Sequence, residues 1–174
     1  MWVVSLQLIL CKEIKMINKL KVKRMHPDAV LPKRAKEGDA AYDLVAINDG
    51  KIKIDERNKL LYIEYDTGIA VEVPKGYHTE IDARSSVTNY DLILKNCIGW
   101  VDWGYKGHLI LRYWITTFDG NINEYIIRRK CKLYKKGDRI AQLKIHKTII
   151  FPLVEVEELS KTDRGEGGFG SSGT

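Results

Sequence analysis

Four short polar segments hold most of the side chains in this sequence that could do chemistry. The first is residues 83–87 (ARSSV), in which Arg84, Ser85 and Ser86 directly follow a strand-like run. A guanidinium forms paired hydrogen bonds to phosphate oxygens, and serine hydroxyls add further donors. The cluster therefore suits an anion, although a surface turn or a helix cap uses the same residues more often.

The second cluster is residues 96–107 (NCIGWVDWGYKG), where glycines at positions 99, 104 and 107 predict a hairpin. Asp102 stands there between the apolar Val101 and Trp103. An enclosed carboxylate can serve as a general base, because burial raises its proton affinity and neighbouring cations lower it. An ordinary turn aspartate is the alternative, since Asp and Gly are common turn formers.

Two further segments carry polar groups of the same kind. Residues 135–143 (KKGDRIAQL) form a turn that leads into a strand, from which Arg139 and Gln142 can point to a ligand or serve the structure. Residues 162–174 (TDRGEGGFGSSGT) contain five glycines and a single large apolar residue, Phe169. That composition is typical of a disordered tail. Its donors, in Arg164, Ser171 and Ser172, together with the stacking face of Phe169, are also the parts of a lid for a nucleotide.

The elements that must position these groups are strands. Short alternating or clustered apolar runs rich in Ile, Val, Tyr and Thr are separated by turn sequences such as NDG, PKG, FDGN and KKGD. This pattern predicts a compact antiparallel sandwich or barrel, with one helical turn near residues 85–91. The runs are KLKVKRM, LLYIEY, IAVEV, YHTEIDA, LILRYWITTF and IAQLKIHKTIIF.

Composition limits the remaining possibilities. A chain of 174 residues with 44% hydrophobic residues predicts one domain, and a net charge of +6 suits an anionic small molecule as well as nucleic acid. Three cysteines without a C-x-x-C pair indicate a reducing, cytoplasmic setting without disulfides. The sequence has no apolar run of about 18 residues for a membrane span, no zinc-ligand spacing and no P-loop or Rossmann glycine motif. Residues 1–15 lack the order of a secretory signal and are interpreted as an extension.

Taken in chain order, the polar segments resemble the five motifs of the homotrimeric deoxyuridine triphosphatase (dUTPase) family. Residues 39–46 (DAAYDLVA) resemble the first motif, and ARSSV, NCIGWVDWGYKG and KGDRIAQL resemble the next three. Residues 163–173 (DRGEGGFGSSG) resemble the fifth motif, which is the most specific of the set. The resemblance extends from residue 19 to residue 174.

The resemblance implies an all-β fold, a jelly-roll-like β-barrel of the dUTPase type with one short helix and a flexible C-terminal tail. The barrel would span residues 16–161, and residues 162–174 would form a mobile lid over the active site. The family assembles as homotrimers. Each active site would combine the third motif of one chain, the second and fourth motifs of another, and the fifth motif of the last.

The implied reaction is hydrolysis of dUTP to dUMP and pyrophosphate with Mg²⁺, which limits uracil in DNA and supplies dUMP for thymidylate synthesis. Asp102 matches the family's general base, and Tyr105 matches the tyrosine under the deoxyribose. Uracil would be read by Asn96 and by the backbone of Gly99, Trp100 and Val101. The family's phosphate-binding positions are matched by Arg84, Ser85, Ser86 and Gln142. In the tail, the positions that contact the terminal phosphate are matched by Arg164, Ser171 and Ser172, and Phe169 would cover the uracil ring. Mg²⁺ would be held mainly by the triphosphate, with Asp43 either an outer-shell partner through water or a brace of the barrel.

The sequence also departs from the family pattern. Ala41 replaces the usual glycine of the first motif, and the large Trp100 and Trp103 flank the Val101–Asp102 pair. The connection over residues 118–137 is longer than is typical. Two alternatives remain open at this point: a dCTP deaminase of the same fold, and a regulatory protein that uses the scaffold to bind a partner. Neither direct nucleic-acid binding nor membrane binding is expected.

Overall fold

The computed structural model describes residues 19–54, 60–116 and 124–168. Within these ranges the chain forms ten strands, one short 3-10 helix at Ser85–Asn89 and one α-helix, α1, at Glu124–Lys130. The strands are β1 (Lys21–Arg24), β2 (Tyr42–Val45), β3 (Lys51–Ile54), β4 (Leu60–Asp66), β5 (Ile69–Glu72), β6 (Tyr77–Ala83), β7 (Leu92–Leu94), β8 (Ile98–Val101), β9 (Ile110–Ile115) and β10 (Arg139–Lys147).

The strands build two four-stranded antiparallel sheets and one two-stranded ribbon. The first sheet has the order β2-β10-β6-β8, the second has the order β3-β4-β9-β7, and β1 pairs with β5. Strand β9 shows why the sheets pack face to face, because its residues alternate between exposed and buried along the whole strand. The all-β prediction is confirmed, and the predicted helical turn after β6 is present.

The core contains an unusual group of tyrosines. The rings of Tyr65 and Tyr113 meet edge to face with a centroid distance of 5.9 Å, and both contact Tyr134 in the same way. The Tyr113 hydroxyl donates to the Ile140 carbonyl at 2.7 Å, and the Tyr65 hydroxyl donates to the Tyr134 carbonyl at 3.2 Å. Burial raises the pKa of Tyr134 to about 12. These rings tie β4 and β9 to the segment that precedes β10.

Helix α1 differs from expectation, because the sequence pattern predicts a single helical turn, which follows β6. The helix is held by tertiary contacts: Ile127 is completely buried, and the Arg128 guanidinium donates to the carbonyls of Asp49 and Gly50 at 3.0 and 2.9 Å. An ion pair between Glu124 and Arg128 one turn apart adds local support. The long connection noted in the sequence is therefore partly helical.

Strand β10 ends at Lys147, four residues before the end of the predicted apolar run. The reason is that its partner β6 begins at Tyr77, which pairs with Lys147, so the next residues meet no strand. Residues 148–168 continue as an exposed arm in which Ile150, Phe151 and Leu153 are 83%, 77% and 98% exposed. Residues 1–15, interpreted as an extension, lie outside the described residues. Among the helices that the structure does describe, none is long and apolar enough to cross a bilayer.

Candidate active site

The first half of the candidate site is an arginine cluster at the end of β6. The Arg84 Nε donates to Asp43 Oδ1 at 2.7 Å, and Arg139 Nη1 donates to Asp43 Oδ2 at 3.0 Å. The Arg84 Nη1 also donates to the Ser86 hydroxyl at 3.2 Å. Asp43 therefore holds two guanidinium groups side by side, and its own side chain is only 15% exposed. Two adjacent cations with a serine hydroxyl are suited to phosphate oxygens.

Strand pairing explains how residues so distant in sequence meet. On β10, Gln142 lies opposite Asp43 of β2 on one side and opposite Asp82 of β6 on the other. Arg84 follows β6 immediately and precedes the 3-10 helix that contains Ser85. Four of the sequence-predicted residues, namely Arg84, Ser85, Ser86 and Gln142, thus lie at one end of the first sheet. We refer to this group, with Asp43 and Arg139, as the arginine cluster.

The second half of the site is a cleft at the hairpin that follows β8. The cleft has a volume of about 230 Å³ and brings together six of the sequence-predicted residues. These are Asn96, Gly99, Trp100, Val101, Asp102 and Tyr105. Its remaining walls include Ile81, His108 and Ile110, which the sequence reading did not single out. We refer to it as the hairpin cleft.

The hairpin cleft is suited to recognition by the backbone. Strand β8 is the outer strand of its sheet, so only one of its edges is paired, with β6. An edge strand offers a row of free N–H and C=O groups, which can pair with a planar base. Gly99 lies directly beside the Asn96 side chain: a Cβ at this position would lie 3.3 Å from Asn96 Nδ2. Glycine at position 99 therefore leaves the Asn96 amide room to reach a ligand.

Asp102 and Tyr105 are linked by the turn of the hairpin. The backbone N–H of Tyr105 donates to the carbonyl of Asp102 at 3.0 Å, which closes the turn. Asp102 is exposed in the isolated chain, so the expectation that its apolar neighbours enclose it is not met there. Trp100 and Trp103 are also exposed, at 71% and 54%. A carboxylate and three aromatic rings therefore face outward around the cleft.

Asp102 and Arg84 lie at opposite ends of β6, whereas the hairpin cleft itself reaches back along the strand to Ile81, which pairs with Gly99. Val101 pairs with Thr79, so Asp102 lies beside the start of β6, whereas Arg84 follows its end. Six residues of extended strand separate the two levels, a distance of about 20 Å at roughly 3.3 Å per residue. One chain therefore holds the candidate base, Asp102, far from the candidate phosphate-binding residue Arg84.

The glycine-rich tail is described only as far as residue 168. Within it, Arg164 Nε donates to the Gly167 carbonyl at 3.0 Å, and the Gly165 N–H donates to Thr162. The described part of the tail is thus a local turn with an exposed arginine. Phe169, Ser171 and Ser172, which the sequence assigned to nucleotide contacts, lie outside the described residues.

Comparison with known proteins gives matches that cover most of the chain. The dUTPase family profile matches residues 28–173. Deoxyuridine 5'-triphosphate nucleotidohydrolases of Thermobifida fusca and Clostridium kluyveri are each 36% identical over 156 residues, which cover 89% of this chain and 79% and 98% of those proteins. This chain belongs to the dUTPase family. The family, the fold and the hydrolase activity expected from the five motifs are confirmed, and the deaminase and partner-binding alternatives are not favoured.

Solved dUTPase structures have the same fold. The dUTPase of Staphylococcus bacteriophage 80alpha with dUPNHPP matches with a TM-score of 0.70 and 31% identity, covering 90% of this chain and 99% of that chain. The dUTPase of phage phi11 of S. aureus, for which a species-specific insert has been visualised, matches with a TM-score of 0.64 and 24% identity. The latter similarity concerns the fold alone.

Proposed function

We propose that this dUTPase hydrolyses dUTP to dUMP and pyrophosphate at sites that two or more copies of the chain build together. The observation that carries the proposal is the separation of about 20 Å along β6 between Asp102 of the hairpin cleft and Arg84 of the arginine cluster. Asp102 and Arg84 would act on neighbouring phosphates of one triphosphate, and one chain holds these two residues too far apart to do so. A second copy that places its arginine cluster against the hairpin cleft of the first supplies base recognition and phosphate binding to the same nucleotide.

The exposed arm supports assembly of several copies. Its apolar side chains, among them Ile149, Ile150, Phe151 and Leu153, have no cover in the isolated chain. Burial of an apolar side chain is favourable by about 1.5–3 kcal/mol, so packing the arm on a neighbour stabilises the assembly. We assign a homotrimer, in which the lid formed by residues 162–174 of one chain closes on a site formed by the other two chains.

In this arrangement Asp102 is the general base. Its exposed carboxylate accepts a proton from a water that attacks the α-phosphorus, while the pyrophosphate leaves toward the arginine cluster of the neighbour. A positioned base contributes about 10²–10⁴ in rate. Arg84, Arg139 and the serine hydroxyls stabilise the charge that develops on the phosphate oxygens.

Selectivity arises from close contacts in the hairpin cleft. Asn96 and the free edge of β8 pair with uracil, and the Tyr105 ring lies under the deoxyribose and excludes a 2′-hydroxyl. Exclusion of a slightly larger substrate is a general means of discrimination. Phe169 of the lid covers the base, and Arg164, Ser171 and Ser172 bind the terminal phosphate.

Mg²⁺ is supplied with the substrate in this proposal. Among residues 19–54, 60–116 and 124–168, no three His, Cys, Asp or Glu side chains are grouped so that they could hold a metal ion. Both oxygens of Asp43 already accept hydrogen bonds from arginines, which favours the bracing role over the metal role. When bound to the triphosphate, the ion neutralises phosphate charge.

Pyrophosphate release with dUTP, UTP, dTTP and dCTP, with Mg²⁺ and with chelator, tests the substrate. We expect a strong preference for dUTP, and a loss of about 10²–10⁴ in turnover for Asp102→Asn with little change in nucleotide binding. Near-native turnover of purified Asp102→Asn contradicts the assignment of the base.

Mixing of two inactive variants tests the shared site. Asp102→Asn and Arg84→Ala each disable one half, so unfolding and refolding them together forms some sites with two intact halves. Random assembly of equal amounts restores about a quarter of wild-type activity if each site takes its halves from different chains. If both halves came from one chain, the mixture would stay inactive. Refolded wild-type protein is the control for recovery.

A further inference from the structure

A histidine that no motif contains lines the hairpin cleft and is tied to a carboxylate on another strand. The Nδ1 atom of His108 lies 3.3 and 3.1 Å from the two carboxylate oxygens of Asp66. Since a carboxylate can only accept, Nδ1 carries the proton and donates. The two residues are 42 positions apart in sequence, and their side chains are only about one-third exposed.

Asp66 is itself fixed by the turn that it begins. Its Oδ1 accepts the backbone N–H of Gly68 at 2.7 Å, and its backbone carbonyl accepts the N–H of Ile47 at 2.9 Å. The next residue, Thr67, donates from its hydroxyl to the Leu109 carbonyl at 2.8 Å. The turn after β4 is therefore a rigid support for the residues that enter β9.

The backbone of His108 holds Tyr105. The Tyr105 hydroxyl donates to the His108 carbonyl at 2.9 Å, so the ring folds back over Gly107. A Cβ at position 107 would lie 2.5 Å from the Tyr105 hydroxyl, which only glycine avoids. The position of the Tyr105 ring thus depends on where the His108 carbonyl is held.

We propose that His108 and Asp66 are positioning residues that fix the Tyr105 ring in the hairpin cleft and thereby set the discrimination between dUTP and UTP. This inference rests on the proposed function, because it requires that Tyr105 lie under the sugar. The side-chain contact from His108 to Asp66 locks the peptide at position 108, and the locked carbonyl holds the Tyr105 hydroxyl. A loosened ring leaves room for the 2′-hydroxyl and contacts the deoxyribose less well.

The test is a comparison of kcat and KM for dUTP and UTP in the full-length enzyme. His108→Ala is expected to lower the preference for dUTP over UTP about tenfold, mainly through KM, with kcat for dUTP within about threefold of wild type. His108→Asn places an amide N–H near the position of Nδ1 and is expected to restore the preference. His108→Gln places its donor near the position of Nε2 and is expected to behave like His108→Ala.

A double-substitution cycle shows whether His108 acts through Tyr105. Tyr105→Phe removes the hydroxyl, so adding His108→Ala to it is expected to change discrimination by less than twofold. Additive effects would overturn the inference, as would full discrimination in a folded His108→Ala enzyme. Lys21→Ala, which removes an exposed ion pair with Glu72, is the matched control. A wild-type enzyme without dUTP hydrolysis would instead refute the proposed function.

Discussion

Asp43 offers a quantitative test because its two oxygens hold two arginines. In Asp43→Asn the negative charge that both guanidinium groups contact is lost, and the NH₂ group of the amide faces the donors of one of them. The Arg84 contact is mostly buried, with side chains 22% and 15% exposed, so its loss is expected to cost about 1.5–3 kcal/mol. The Arg139 side chain is 51% exposed, which limits its contact to about 0.2–1 kcal/mol.

The free energy of unfolding of Asp43→Asn is therefore expected to fall by about 2–4 kcal/mol, the two contributions together. Urea unfolding at fixed protein concentration measures this change, since assembly makes the midpoint depend on concentration. The matched control is Asp28→Asn, which removes an exposed pair with Lys136 and is expected to leave the midpoint unchanged. The Mg²⁺ concentration that half-saturates dUTP hydrolysis is expected to stay the same in Asp43→Asn. Unchanged stability together with a tenfold higher Mg²⁺ requirement would refute the bracing role.

The remaining predictions concern the core. Tyr113→Phe removes a hydroxyl that donates at 2.7 Å, so urea unfolding is expected to show a loss of about 1 kcal/mol. Tyr134→Phe removes a buried hydroxyl that has no hydrogen-bond partner among the described residues, and it is expected to be neutral or stabilising. Burial raises the pKa values of Tyr113, Tyr134 and Tyr65 above the unfolded value of 10.0, and that of Tyr134 is about 12. The stability that these neutral tyrosines contribute is therefore fully present below pH 10, and it is lost as the pH rises from 10 toward 12. Unfolding followed against pH is expected to show a slope of about 4 kcal/mol per pH unit near pH 11, roughly 1.36 for each of the three; a flat profile would contradict this. Gly50→Ala places a Cβ 2.6 Å from the Ile63 side chain and is expected to lower the free energy of unfolding by about 2–4 kcal/mol. Gly38→Ala meets no neighbouring atom and has only its positive φ to accommodate, which is expected to cost about 1 kcal/mol. Equal thermal midpoints for the two variants would contradict the packing argument.

Local sequence was sufficient for most of the strands and for the motif-bearing turns. Strand β9 was predictable because alternation along LRYWI has the period of a half-buried strand, and the turn before β10 because KKGD provides the residues that turns require. The five motifs in order were sufficient for the family. The helical turn after β6 followed from the short polar segment between two strands.

Local sequence was insufficient where a neighbour decides the outcome. The residues of α1 include the doublet Ile126–Ile127, which is compatible with a strand, and the helix forms because Arg128 reaches two carbonyls of the β2–β3 turn. The apolar run of β10 is cut at Lys147 because β6 provides no further partner. The contact between His108 and Asp66 could not be predicted, since the two residues are 42 positions apart in the sequence.

The sequence by itself determined that the chain is a β-rich dUTPase and which residues are the candidates for its chemistry, because motif identity and strand periodicity are local properties. Only the tertiary structure decided where those residues lie relative to one another. It fixed two arginines on Asp43, left Asp102 exposed, and put about 20 Å of β6 between Asp102 and Arg84. Such distances depend on strand order and register, which arise from pairing between segments that are remote in the chain.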